Sequence, residues 1–218
     1  MLTAVKGAAG DRKLRLFACA CCRGVWHLLA DGRSRLAVEV AERFADGAGS
    51  RKTLDSAKVA ALEAANAASA GRPGVTDGDR LDAYYAACAS LRCAERQAIA
   101  AAGRAASWAA GPEVPGRPSV APGHCDLLRD IFGPLPFRPV AADPAWLAWK
   151  DGTIPRLART VYEERELPSG YLDAVRLAGL ADALEEAGCT DKDLLAHLRG
   201  AGPHTRGCWV VDRLIGKE

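Results

Sequence analysis

DRKLRLFACACCRGVWHLLA, residues 11–30, is the stretch whose reading decides the fold. On a 100° helical wheel Leu14, Phe17, Ala18, Cys21, Val25, Leu28 and Leu29 share one arc, while Arg12, Arg15, Cys19, Arg23 and Trp26 share the opposite one. Asp11 after Gly10 is an N-cap signal and Asp31-Gly32 a stop signal. The spacing predicts one helix over 11–30, its first arc buried as the spine of a core and its second facing solvent.

Working outward, the same logic extends along the chain. Ser34 is positioned to cap a helix ending near Ala45, and Thr53 one running from Leu54 to Ala70. Asp79 opens a long Ala-rich helix from Arg80 to about Ala110, with a break near 101–103. The segment GPEVPGRPSVAPG, residues 111–123, has four prolines and three glycines and reads as a linker. It separates an N-terminal helical part, 1–110, from a C-terminal helical part, 124–218. The second part reads as a run of shorter helices: 124–132; one begun by Asp143 with Pro144 at its first position; 153–165; 171–187 closed by Gly188; 191–199 capped by Thr190; and 204–216. The extended LPFRPV, 135–140, interrupts them.

Composition agrees with that pattern. Only 6% of the 218 residues are aromatic within a 49% apolar content, a mixture suited to closely packed helices and poorly suited to a strand-rich sandwich. The fold class expected is all-α: a multi-helix bundle with a long Ala-rich helix and a smaller C-terminal helical part, the two capable of docking as one unit. With 29 basic and 27 acidic residues the net charge is +2, so nothing global draws the chain to nucleic acid or to an anionic membrane. No apolar run approaches a membrane span and MLTAVKGAAGDRKL lacks the core of a secretory leader, so the expected location is the cytoplasm, without a membrane partner. Eight cysteines there read as thiols or metal ligands.

Four chemistries merit weighing. Cys189, His197, His204 and Cys208 have the ligand types of a zinc site, with the last pair at i, i+4 on one face of a 204–216 helix. Their spacing matches no finger signature, and the plainer alternative is two capping or surface histidines with two buried thiols. Cys19 and Cys22, with His27, Cys88 or Cys93, form a second metal set, but the wheel points the cysteines of the first helix in different directions and leaves Cys19 as an exposed thiol. His204, Cys208 and Asp212 would stack along one helical stripe as a faint thiol-catalytic trio. Arg12, Arg15 and Arg23 with Trp26 form a basic, aromatic-bearing stripe of the kind that tracks phosphates and stacks on bases; the plainer alternative is a solvated helix face. Phosphate-binding glycine loops and hydrolase or zinc-protease signatures do not occur.

Two blocks, DRKLRLFACACCRGVWHLL near the start and HTRGCWVVDRLIGKE at the end, with LLRDIFG, PFRPV, DPAWL, IPRLARTVYEER and LADALEEAGC between them, resemble a paralogue-rich bacterial protein family of no established activity. The resemblance runs over most of the chain and implies a bacterial cytoplasmic protein without implying a mechanism. The leading expectation is a non-enzymatic helical interaction or scaffold protein with a protein partner. The alternatives are a zinc-stabilised module binding nucleic acid or another macromolecule, and a thiol-dependent enzyme.

Overall fold

A computed structural model describes residues 10–70, 77–111, 121–133 and 142–217. As composition and periodicity predict, the fold is all-α: ten α-helices and one short 3-10 turn, with no strand among the described residues beyond an isolated antiparallel bridge between Tyr171 and Thr205. The chain divides into two compact units, Met1–Cys125 and Asp126–Glu218. Most of the 111–123 linker and all of LPFRPV lie outside the described residues. No helix among the described residues is long and apolar enough to cross a membrane.

In the first unit, α1 (Asp11–Gly24) is the central element. The helices that follow are α2 (Gly32–Ala45), α3 (Arg51–Ser69), α4 (Asp77–Cys93) and α5 (Ala98–Ala110). The spine is shorter than the sequence suggests: Val25 N–H bonds back to the Cys22 carbonyl, and Trp26–Leu28 tighten into the 3-10 turn. It is also buried on every side, since each residue from Leu14 to Arg23 is buried and α1 packs against α2, α4 and α5. The expected solvent arc is therefore an interior face. Small residues, Ala18, Cys19, Ala20 and Cys22, let the neighbouring helices approach closely.

Two helix caps sit three residues upstream of the positions the sequence suggests. Asp31, not Ser34, caps α2 by accepting from Arg33 N–H at 2.8 Å, and Ser50, not Thr53, caps α3 by accepting from Thr53 N–H at 3.1 Å. The expected long helix is two, α4 and α5, parted at residues 94–97 and not near 101–103. They pack against each other, and both are rich in buried alanine: Ala86, Ala87, Ala89, Ala101, Ala102 and Ala105 are all buried.

Helix α6 (Ala121–Phe132) carries the division between units, and α7 (Pro144–Glu163), α8 (Ala174–Glu186), α9 (Lys192–Arg199) and α10 (Trp209–Ile215) complete the second. Asp143 caps α7 through Ala145 N–H with Pro144 at the first position, as expected. Within α7 three consecutive residues, Lys150, Asp151 and Gly152, take positive φ of 43°, 57° and 76° and split the helix into two segments. Gly188 (φ 88°) ends α8 in a Schellman turn, with Gly188 N–H bonded to the Glu185 carbonyl and Cys189 N–H to that of Leu184. Ile154, Leu177, Leu180, Leu184, Leu194, Leu198 and Val210 fill the core between these helices. The last helix starts at Trp209 rather than His204: residues 204–208 form a turn, tied by Leu172 N–H to the His204 carbonyl and Cys208 N–H to that of Thr205.

Candidate metal centre

Four side chains of the second unit converge. Asp130 projects from the last turn of α6, His197 from α9, His204 from the turn before α10, and Cys208 from the N-cap position of α10. One ligand atom from each lies within 4.8 Å of all the others, so the group could hold a metal ion. Asp130, His204 and Cys208 are buried and His197 nearly so.

Local folding fixes each donor. Asp130 Oδ2 accepts from Thr205 N–H at 2.8 Å and Thr205 Oγ1 at 3.2 Å, which turns Oδ1 toward the histidines. His204 Nδ1 lies 2.9 Å from Oδ1, and His197 Nε2 lies 3.3 Å from Oδ1 and 3.3 Å from Cys208 Sγ. The two imidazoles meet edge to face at 4.8 Å, and the Trp209 ring lies 5.3 Å from that of His197. Trp209 in turn packs against Gly133, whose φ of +87° and absent side chain admit the indole at 3.4 Å from where a Cβ would stand.

The protonation pattern follows from the partners. His204 Nε2 faces the Gly200 carbonyl at 3.2 Å; a carbonyl only accepts, so Nε2 carries the proton. Nδ1 then meets the Asp130 carboxylate either as a second N–H or as a lone pair, and a lone pair is repelled unless a cation lies between them. Burial is the largest influence on His204 and would lower it, but the hydrogen bond to Asp130, the Asp130 charge and the Gly200 carbonyl together raise it above the ordinary histidine value. Burial alone would raise Asp130, and the hydrogen bonds to His197 and His204 together with the attraction of their charges bring it below the ordinary carboxylate value. Burial pushes the Cys208 thiol well up, with the Asp130 charge adding to it. The pocket thus concentrates ligands that a proton or a metal ion would satisfy.

Two of these distances suit a metal, while the His204–Asp130 contact of 2.9 Å is of hydrogen-bond length. Bonds of about 2.0–2.3 Å from zinc to nitrogen, oxygen and sulfur give tetrahedral ligand–ligand edges of about 3.3–3.6 Å. Both His197 distances fall at that edge length, and the outer hydrogen bonds of His204 and Asp130 are of the kind that orient metal ligands.

Three of the four zinc candidates read from the sequence are brought together, and one is not. Cys189 is the residue after Gly188 in the Schellman turn, which directs its side chain into the core with Leu184 and Leu194. Asp130 takes the fourth position; it is 74 residues from His204 in sequence, and no spacing pattern links them. The expected face shared by His204 and Cys208 is absent because 204–208 is not helical; the turn itself brings them to one point. The stripe of His204, Cys208 and Asp212 is absent for the same reason.

The basic stripe is also corrected. Arg15 is buried, donating to the carbonyls of Cys93 and Glu95 at 2.7 Å each and of Arg96 at 3.3 Å. Arg23 is buried in a two-pronged pair with Glu42, at 2.5 and 2.8 Å, and its guanidinium lies 4.7 Å over the ring of half-buried Trp26. Arg12, mostly buried, is paired with Asp46. These side chains are structural bonds of the first unit. Cys19, expected to be exposed, is interior at 1% exposure. His27 is exposed.

No protein-family model, curated protein or solved structure matches the chain.

Proposed function

We propose that the protein is a non-enzymatic helical interaction module whose second unit is stabilised by a structural zinc ion held by Asp130, His197, His204 and Cys208. The observation that carries this reading is the convergence of four ligand atoms within 4.8 Å in a largely buried setting. Two imidazoles, one thiolate and one carboxylate form a borderline-soft set suited to zinc, whereas magnesium and calcium favour oxygen alone. Four protein ligands fill a tetrahedral shell and leave no position for substrate, the pattern of a structural site. An ion there would tie α6, α9 and α10 together.

The competing readings have less to stand on. A thiol enzyme needs an accessible, readily ionised sulfur, and Cys208 is fully buried with its thiol pushed upward. A nucleic-acid surface built on Arg12, Arg15, Arg23 and Trp26 loses its arginines to internal partners. A protein partner is supported by Val59 and Leu62, which lie three apart on α3 and are both exposed.

Metal analysis of the purified full-length chain tests the zinc assignment. One equivalent of zinc is expected, with His204→Ala and Cys208→Ser each reducing it to a small fraction. Chelation is expected to lower the thermal midpoint of the wild type. A chain that takes up no zinc from a chromogenic indicator, and melts identically with and without chelator, would overturn the proposal.

A further inference from the structure

A second group of sulfurs lies in the first unit, and the metal centre makes no use of it. Cys22 on α1 and Cys93 at the last position of α4 bring their Sγ atoms to 3.1 Å, with 71 residues of chain between them. Cys93 is held there on two sides: its thiol lies within reach of the carbonyls of Ala18 at 3.4 Å and Ala89 at 3.5 Å, either of which can accept its one proton, and its own carbonyl is bound by Arg15. Cys19, one turn before Cys22, also lies against Cys93 but directs its thiol to the Val38 carbonyl at 3.8 Å. Neither Cys22 nor Cys93 has any exposed surface.

We propose that Cys22 and Cys93 are a disulfide-forming pair that cross-links α1 to α4. The sulfurs need to approach by about 1 Å to reach a bond length near 2.05 Å. Cys93 closes its helix and is followed by the irregular segment 94–97, so the approach falls where α4 is freest to adjust. The oxidant class is a low-molecular-weight disulfide. Two S–H bonds break and one S–S bond forms between Cys22 and Cys93; the electron pair passes to the small disulfide, whose own S–S bond breaks, and the two protons leave on its two thiols. Burial raises both thiols above their ordinary value and hides them from reagents, so the link forms as the chain folds or opens rather than in the closed state. This pair is independent of the zinc site.

The test follows from that order of events. Full-length chain, reduced and unfolded, is refolded in glutathione buffers of graded oxidised-to-reduced ratio and quenched with acid. At an intermediate ratio two of the eight thiols are expected to be lost and the mass to fall by about two hydrogens, as one S–S bond formed from two thiols requires. Digestion is expected to yield a single linked peptide pair containing Cys22 and Cys93, and the oxidised form to melt higher than the reduced one. Cys21→Ala is expected to keep the link and Cys22→Ala to lose it. Eight free thiols at every ratio, or a dominant link between other cysteines, would overturn the proposal; both are read on the wild type and need no variant to fold.

Discussion

Arg23 and Glu42 show how much can hang on single side chains. Both are almost fully buried, and burial works against the charge on Arg23 while the Glu42 pair more than restores it. Removing one partner strands the other, which typically costs about 3–5 kcal/mol, whereas replacing a buried pair by apolar groups of similar size is often neutral. Glu42→Ala is therefore expected to shift the urea midpoint strongly, and Arg23→Met with Glu42→Leu to recover most of the loss. Arg12→Ala, which removes the partner of Asp46 in a mostly buried pair, is expected to cost less than Glu42→Ala in the same assay, since both its side chains keep some exposure. A helical wheel sorts residues by angle and assigns charge to water, so it sends Arg15 and Arg23 outward. What it leaves out is that a guanidinium can be satisfied by the open carbonyls at the end of a neighbouring helix, as Arg15 is at the end of α4. Asp130 was hidden for a related reason. Histidine and cysteine are rare enough for spacing to flag them, but one carboxylate among 27 acidic residues is not.

At the level of the element, caps matter most where they position a ligand. Asp191 accepts from the N–H groups of both Asp193 and Leu194 and so fixes the start of α9, the helix that carries His197. Asp191→Ala is expected to cost about 1 kcal/mol by chemical denaturation and to weaken zinc retention in a competition titration. Thr190→Ala, at the cap position suggested by sequence, is expected to leave both unchanged. Helix type and number were largely legible because periodicity and stop signals recur; boundaries were less so, since several candidate caps lie within three residues of each other. Gly188 and Asp143-Pro144 could be read correctly because each admits little besides its observed role. The turn at 204–208 could not: 204–216 can be read as a helix although CWVV also has strand propensity, and the bonds of this segment to Leu172 and Asp130 come from parts of the chain distant in sequence.

Across the whole molecule, the two units rely on different kinds of interior. The second is filled with leucine, isoleucine and valine around the four-ligand centre, and on the zinc proposal chelation is expected to speed hydrogen exchange in α9 and α10 well before it affects α1. The first is filled to an unusual degree with methyl groups: Ala61, Ala89, Ala101, Ala102 and Ala105 are among the alanines there with no exposed surface. Truncation scanning would pass over these positions in silence, since they already carry the residue it installs. Their vulnerability runs the other way, toward bulk. Ala102→Leu would have to force α5 away from its neighbours, at about 1–3 kcal/mol or more, so the map of sensitive sites in this half of the protein emerges only when side chains are made larger.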